Sequence, residues 1–261
     1  MTWQAISVEL VGTTQVIRMN HPAQRNPLTR DLVRELADVM QQADRDPGVH
    51  AMVLTGAGSA FSAGADLKEF AQLSAKSASE HYYDAVSAAD LFGLGTALRT
   101  PLIGAVNGPA LGGGMGLAAM CHLVVASAAA KFGMTELRVG IVPFVILPLV
   151  RRAIGEKNTL KLMLTAEPVG PETALSMGLV QKVVPADRLL EEALALADHI
   201  GGFSPLAVSL ALDAFSATQD MTLKEAFDYL ARLRIVSFMS EDLQEGARAF
   251  LEKRPPAWKG R

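Results

Sequence analysis

Short apolar runs recur along the first half of the chain and predict buried strands. These runs are Ala51 to Thr55, Leu102 to Val106 and Leu123 to Ala126. Nearer the start, Ser7 to Leu10 and Gln15 to Met19 flank Gly12 and Thr13, a pattern typical of a β-hairpin. The first half of the chain therefore carries the strand signals of a sheet.

Apolar residues at helical spacing separate these runs. After the hairpin they are Leu32, Leu36, Val39, Met40 and Ala43. A helical region is expected from about Leu67 to Leu98, and a helix that opens on glycines from Gly113 to Cys121. Because strands and helices alternate, we expect an α/β fold with parallel strands joined by crossovers.

The pattern changes after about Val184, where only helical spacing remains. We predict an α/β core over residues 1–195 and a C-terminal helical region over residues 196–261. The helical region is expected to pack on the core or on a neighbouring subunit.

Composition narrows the functional class. The 261 residues carry a net charge of −3, are 50% hydrophobic and only 20% charged, which excludes intrinsic disorder. The acidic balance argues against nucleic-acid binding, which depends on Lys and Arg. Cys121 is the only cysteine, so a disulfide framework and a cysteine-based zinc site are excluded, and no metal is expected. The first residues lack the basic segment followed by an apolar segment that is typical of a secretory signal peptide. We expect a cytoplasmic enzyme that forms an oligomer.

One stretch imitates a membrane helix, because residues 100–130 contain no Asp, Glu, Lys or Arg. Pro101, Pro109 and the Gly112 to Gly114 run divide it into pieces. Each piece is shorter than the ~20 residues that a span requires. We therefore expect a buried strand, a tight loop and a buried helix, and no membrane association.

Two glycine-rich segments, residues 57–67 and 107–117, each follow a predicted buried strand. Glycine lets a ligand approach the backbone, and free N–H groups at a helix start face negative charge. Two such donors would form an oxyanion hole, although small-residue loops also serve turns and close packing. Neither segment has the spacing of a Walker A loop or of a dinucleotide-binding fingerprint.

These segments resemble a known family. Residues 61–69 (FSAGADLKE) and 107–117 (NGPALGGGMGL) look like the two oxyanion segments of the enoyl-CoA hydratase/isomerase (crotonase) superfamily. Residues 132–143 (FGMTELRVGIVP) resemble its catalytic segment. Four further segments agree in order and spacing, so the resemblance covers essentially the whole chain. They are residues 20–28, 164–166, 174–184 and 245–254.

The resemblance implies a crotonase-like spiral of ββα turns with a C-terminal helical trimerisation region. It implies an acyl-CoA substrate in fatty acid or acyl-CoA degradation, a homotrimer or dimer of trimers, and no cofactor beyond the coenzyme A moiety of the substrate. The N–H groups of Ala65 and Gly113 would hold the thioester oxygen, and Glu136 matches the catalytic glutamate. Matched positions for coenzyme A are Gln24, Arg25, Ala63, Asp66, Lys68, Phe250 and Lys253. Without the family match, Arg25, Lys68 and Lys253 would be interpreted as solvated charges.

The chain also departs from the family pattern. Gly116 stands where two-glutamate hydratases carry their second glutamate, so only Glu136 remains of the pair. A bulky run from Phe144 to Pro148 replaces a glycine-rich turn and is expected to narrow the pocket. His122 replaces a usual aspartate and is expected to be a helix-end residue hydrogen-bonded to backbone.

Three functions remain open. The first is hydration of a 2-enoyl-CoA, with Glu136 moving the proton of water to the α carbon. The second is Δ3,Δ2-enoyl-CoA isomerisation, which Gly116 favours because it needs one proton shuttle. The third is a non-catalytic acyl-CoA or RNA binder. We favour hydration, because the glycine and catalytic segments resemble a bacterial branch that contains methylglutaconyl-CoA-type hydratases.

The acyl pocket is expected to include Gly116, with Tyr82, Tyr83, Phe92 and Phe144 as candidate walls. The acyl chain length and branching stay open at this point.

Overall fold

The structure is a computed structural model that describes residues 3–66 and 76–261. The strands are β1 (Ile6–Val11), β2 (Thr14–Met19), β3 (Ala51–Gly56), β4 (Leu102–Val106), β5 (Pro109–Leu111), β6 (Leu123–Ser127), β7 (Lys131–Gly133) and β8 (Lys182–Val184). The helices are α1 (Arg30–Arg45), α2 (Ala78–Ala97), α3 (Gly113–Met120), α4 (Leu147–Thr165), α5 (Pro171–Ser176), α6 (Leu189–Gly201), α7 (Pro205–Thr218), α8 (Leu223–Phe238) and α9 (Glu241–Glu252).

Six strands form the main sheet in the order β1-β2-β3-β4-β6-β8. The hairpin predicted at Gly12 is confirmed, because β1 and β2 pair antiparallel across it. All later pairs in this sheet are parallel, which confirms the predicted crossovers. A second sheet, β5 paired parallel with β7, was not predicted.

The central strands β3 and β4 are buried along their whole length, and since successive side chains of a strand point to opposite sides, both faces of the sheet are covered there. On one side, Ile17 and Leu54 pack with Leu36 of α1 in the larger core. On the other side, Val16 and Val53 join residues of α6 in the smaller core. Burial on both faces explains why these strands appear in the sequence as continuous apolar runs.

The predicted helices are confirmed where the structure describes them. Thr29 caps α1 by accepting the Leu32 N–H, and Ser77 and Glu80 form a reciprocal capping box at the start of α2. The beginning of the helical region expected from Leu67 lies outside the described residues. The predicted all-helical end of the chain is confirmed as α6 to α9. The domain division at residues 195 and 196 stays a prediction.

The C-terminal helices expose much apolar surface. On α8, Leu223 is 72% exposed and Phe227 64% exposed, and Phe215 of α7 is 68% exposed. No single helix within the described ranges is long and apolar enough to cross a membrane. Residues Ala186–Gly201 and Pro205–Thr218 pass that test only as a pair, bent by 102°.

Cys121 follows α3 in the larger core. Its Sγ donates to the Leu117 carbonyl oxygen at 3.2 Å. The thiol lies so close to β4 that a Cβ built on Gly104 would stand 3.1 Å from the sulfur. Burial raises the pKa of this thiol well above its ordinary range.

Candidate active site

The two glycine-rich segments leave the sheet side by side. β3 and β4 are parallel neighbours, so the segments that follow them begin at the same edge of the sheet. Asn107 joins the two segments, because its Oδ1 accepts the Gly56 N–H at 3.2 Å and its Nδ2 donates to the Gly58 carbonyl at 3.0 Å. The fold therefore brings together the two segments that the sequence predicted to cooperate.

Asn26 holds the first glycine-rich segment in place. It is fully buried, and its Nδ2 donates to the carbonyls of Ala57, Ala60 and Phe61 at 2.9–3.1 Å. Its Oδ1 accepts the His21 N–H at 2.9 Å. Asn26 has a φ of +52°, a conformation that asparagine adopts more readily than most residues. Sequence reasoning missed this positioning role, and the only signal was a polar residue inside the segment of residues 20–28.

The backbone N–H groups of Ala65 and Gly113 are open donors. Among the backbone hydrogen bonds of the described residues, none uses either group. Gly113 is the first residue of α3, where a helix leaves its N–H groups without internal partners. The loops touch near these donors, since a Cβ built on Gly64 would lie 3.3 Å from the Gly113 nitrogen. The arrangement can receive a developing negative charge on a substrate oxygen.

The small sheet of β5 and β7 places Glu136 beside the Gly113 donor. β7 pairs with β5, and the Gly112 N–H donates to the Gly133 carbonyl at 2.8 Å. Glu136 then begins a short 3-10 helix, Glu136–Val139. A Cβ on Gly112, whose φ is +54°, would lie 3.1 Å from Glu136 Oε1. The carboxyl group therefore lies against the glycine turn that immediately precedes the Gly113 donor.

The carboxyl group of Glu136 lies in a weakly solvating environment. Its Oε2 is buried and has no hydrogen-bond partner among the described residues. Burial raises the pKa of Glu136 above its ordinary value of 4.5, and this outweighs the lowering by hydrogen bonds from the backbone of Glu136 and Thr135. A carboxyl group with a raised pKa and a free oxygen is suited to exchange protons with a bound molecule.

Both donors and the carboxylate line one cavity of about 440 Å³, a size typical of small-molecule sites. Among the described residues, its lining apart from Thr135, Glu136 and Arg138 is apolar or glycine. The lining consists of Leu28, Val33, Ala63, Gly64, Ala65, Ala88, Phe92, Leu111, Gly112, Gly113, Thr135, Glu136, Arg138, Val139 and residues 141–146.

The remaining residues predicted to bind coenzyme A differ in their position relative to this cavity. Ala63 lines it, and the Ala63 N–H donates to the carbonyl of Arg25 at 2.9 Å, although the side chains of Gln24 and Arg25 are exposed. Asp66 is half-buried directly after Ala65. Lys68 lies outside the described residues.

Several other predicted residues do not line the cavity either. Phe250, on α9, is 83% exposed, and Lys253 ends the same helix in a left-handed conformation. Tyr82 is 66% exposed and packs edge-on against Tyr83. Gly116 is buried, because Phe92 and Ile146 cover it. Of the predicted acyl-pocket residues, Phe92 and Phe144 are in the lining.

A larger cavity of about 600 Å³ lies elsewhere, and its lining in the described part of the chain includes His122 but no carboxylate. The expected backbone hydrogen bond of His122 is confirmed, since its Nδ1 accepts the Leu102 N–H at 2.8 Å. Nδ1 therefore carries no proton, and burial lowers the pKa of the ring, so His122 is neutral. The smaller cavity, which Glu136 lines, is therefore the candidate site for acid–base chemistry.

Comparison with known proteins agrees with this geometry. A "Probable enoyl-CoA hydratase" of Mycobacterium bovis is 39% identical over 260 residues, which cover 98% of each chain. The crystal structure of an enoyl-CoA hydratase from Bacillus anthracis superposes with a TM-score of 0.93 at 32% identity, covering 99% of this chain and 100% of that one. A structure from Geobacillus kaustophilus gives a TM-score of 0.92 at 35% identity and 99% coverage of both chains. Since the family description "Enoyl-CoA hydratase/isomerase" also matches residues 11–261, which include both open N–H donors and Glu136, the chain is a member of the enoyl-CoA hydratase/isomerase family of enzymes.

Proposed function

We propose that this enzyme adds water across the 2,3 double bond of an acyl-CoA thioester. The observation that carries the proposal is the free, buried Oε2 of Glu136 in the cavity that also receives the open N–H groups of Ala65 and Gly113. Relatives over the full length of the chain are named enoyl-CoA hydratases, which supports the same reaction.

The reaction would begin with polarisation of the thioester. Its carbonyl oxygen would accept hydrogen bonds from Ala65 and Gly113, which makes the β carbon electrophilic. Each such donor is worth ~3 kcal/mol of transition-state stabilisation in enzymes where it has been removed. No metal or cofactor beyond the coenzyme A moiety of the substrate enters this proposal.

Glu136 would then serve as the acid–base group. Its carboxylate takes a proton from water while the water oxygen bonds to the β carbon, and the π electrons move towards the α carbon and the thioester oxygen. The protonated Glu136 then gives its proton to the α carbon. In the net reaction the substrate gains one molecule of water, and Glu136 returns to its starting form.

The remaining assignments are part of the same proposal. Gln24, Arg25, Lys68, Phe250 and Lys253 are proposed to contact the coenzyme A portion. The exposed apolar surface of the C-terminal helices supports a homotrimer or a dimer of trimers. We place the enzyme in the cytoplasm.

Position 116 favours a second candidate, isomerisation of a 3-enoyl to a 2-enoyl thioester. Phe92 and Ile146 fill the space over Gly116, so no second carboxylate is present there to orient water. One carboxylate suffices to move a proton from the γ to the α carbon.

The experiment compares wild type with Glu136→Gln on a panel of 2-enoyl- and 3-enoyl-CoA esters, followed by mass. The control is Glu156→Gln, the same change at an exposed glutamate of α4 outside the cavity. A gain of one water mass in wild type and Glu156→Gln, lost in Glu136→Gln, supports hydration. Conversion of a 3-enoyl ester without a mass change supports isomerisation. Saturable binding of esters without any conversion contradicts both and supports a binding role.

A further inference from the structure

The inner wall of the cavity has a feature that the reaction itself does not use. Phe92 of α2 and Ile146, just before α4, both line the cavity and are only 4% and 3% exposed. Both meet over Gly116. A Cβ built on Gly116 would lie 2.2 Å from Ile146 Cγ2 and 2.8 Å from Phe92 Cε1. The two side chains therefore pack directly on the backbone of α3, with no room between.

The distance from this wall to the reacting group is fixed by α3. Gly113 and Gly116 are three residues apart and lie on the same side of the helix, about 4.5 Å apart along its axis. Gly113 supplies an N–H for the thioester oxygen in the proposed function. An acyl chain that extends along α3 from that point meets Phe92 and Ile146 after about one helical turn.

We propose that Phe92 and Ile146 set the length of the acyl chain and make the enzyme selective for short acyl groups of about four to six carbons. The inference rests on the proposed function, because it takes the Gly113 N–H as the anchor of the thioester. A β-branched isoleucine held between α3 and α4 has few alternative rotamers, so the wall cannot easily move aside. Extending the acyl chain beyond the wall would require overpacking of a closed core.

The test measures kcat/KM of the full chain for 2-butenoyl-, 2-hexenoyl-, 2-octenoyl- and 2-decenoyl-CoA. In wild type we expect kcat/KM to fall by about tenfold or more between the four-carbon and ten-carbon esters, since one unaccommodated methylene can cost about 10-fold. Ile146→Ala and Phe92→Ala should raise the ten-carbon to four-carbon ratio by about tenfold, because each opens space in the wall for about two further methylenes.

Phe144→Ala is the matched control. It removes a phenyl ring from the same cavity, but from a side chain that is 74% exposed. We expect it to leave the ratio within about twofold of wild type, because no enclosed space is created. An unchanged ratio in both Ile146→Ala and Phe92→Ala, with circular dichroism showing folded proteins, overturns the inference. So does a ratio that shifts equally in Phe144→Ala.

A binding measurement separates this inference from the proposed reaction. Dissociation constants of butanoyl-CoA and decanoyl-CoA, which lack the double bond, are measured for the same variants. If wild type converts no ester but binds butanoyl-CoA more tightly, and Ile146→Ala removes that preference, the length inference stands while the hydratase proposal fails. If esters are hydrated but neither measurement depends on Ile146 or Phe92, the reverse holds. If Ile146→Ala does not fold, Ile146→Val replaces it. This variant must then shift the kcat/KM ratio and the ratio of dissociation constants in the same direction by a smaller factor.

Discussion

Gly116→Ala adds one methyl group to the most crowded point of the cavity wall. The new Cβ would stand 2.2 Å from Ile146 Cγ2, 2.9 Å from Ile146 Cβ and 2.8 Å from Phe92 Cε1. All three distances are far below ordinary van der Waals contact, and two of the atoms belong to a stiff β-branched side chain. Relief therefore requires a shift of the chain before α4 or of α2.

The expected cost follows from two opposing effects. Overpacking of a closed core costs about 1–3 kcal/mol, and three simultaneous contacts favour the upper part of that range. Alanine in a helix interior gains about 0.5–1 kcal/mol over glycine, which offsets part of it. We expect Gly116→Ala to lower the free energy of unfolding by about 1–2 kcal/mol.

Gly93→Ala measures the gain of alanine over glycine in a helix without any change in packing. Gly93 lies inside α2, and a Cβ built on it would have no neighbour within 4 Å. The same substitution should therefore raise the free energy of unfolding by about 0.4–1 kcal/mol. The two variants should have shifts of opposite sign in urea unfolding followed by circular dichroism.

A double-mutant cycle then tests the contact itself. Ile146→Ala alone should cost about 2–5 kcal/mol, the usual range for removing a buried isoleucine. Added to Gly116→Ala, it removes the shortest of the three contacts, that with Ile146 Cγ2, so the double variant should be more stable than the sum of the single effects by about 1–3 kcal/mol. Additive effects, or a Gly116→Ala variant as stable as Gly93→Ala, would refute the packing described for this wall.

The other predictions concern Glu136 and Asn26. Because the pKa of Glu136 is raised in the folded state, its favourable contribution is fully present below the ordinary value of 4.5 and is lost as pH rises through the folded-state pKa. Glu136→Gln should therefore gain about 0.5–2 kcal/mol in unfolding free energy at neutral pH over wild type, and this gain should disappear in unfolding curves at pH 4. The pH profile of kcat/KM should have an acidic limb whose midpoint lies above 4.5, since the ionised carboxylate accepts the proton; a midpoint below 4.5 contradicts the burial argument. Asn26→Asp keeps the shape but replaces two N–H donors with an anion facing three carbonyls, so it should destabilise the protein by several kcal/mol in urea, at least about 3. Asn158→Asp on α4, at a half-buried side chain that donates to one carbonyl instead of three, is not expected to match it, and equal effects would remove the special role of Asn26.

Long elements with clear periodicity could be predicted from the sequence. The apolar runs of β3 and β4 exceed four residues and are buried on both faces, so hydrophobicity alone marks them. β5 and β7 have three residues each and were missed, because a strand of three residues has too few positions for a periodic signal. Their pairing is nonetheless what brings Glu136 to Gly112.

Some residues of the candidate site could likewise be predicted from the sequence, and others could not. The glycine loops and Glu136 could be predicted because the backbone chemistry they require restricts residue type, and the family resemblance supplied the roles. Ile146 could not be assigned, because an isoleucine in an apolar run gives no sign of which helix it will meet. Asn26 was also missed, since its three acceptors are more than thirty positions away in the sequence.

Because Cys121 is buried, the rate at which its thiol is labelled reports the opening of the core around it. As the only thiol of the protein, 9% exposed and packed against β4 at the end of α3, it should react with an aromatic disulfide reagent far more slowly in the native protein than in urea. Once exposed, it regains an ordinary thiol pKa and reacts as an unfolded peptide does. The ratio of the labelling rate in native protein to that in urea therefore gives an upper limit on the equilibrium constant for opening at this point of the core, because Cys121 also lines the larger cavity. Measured with and without a bound thioester, this single rate shows whether ligand binding at the start of α3 is transmitted to its end.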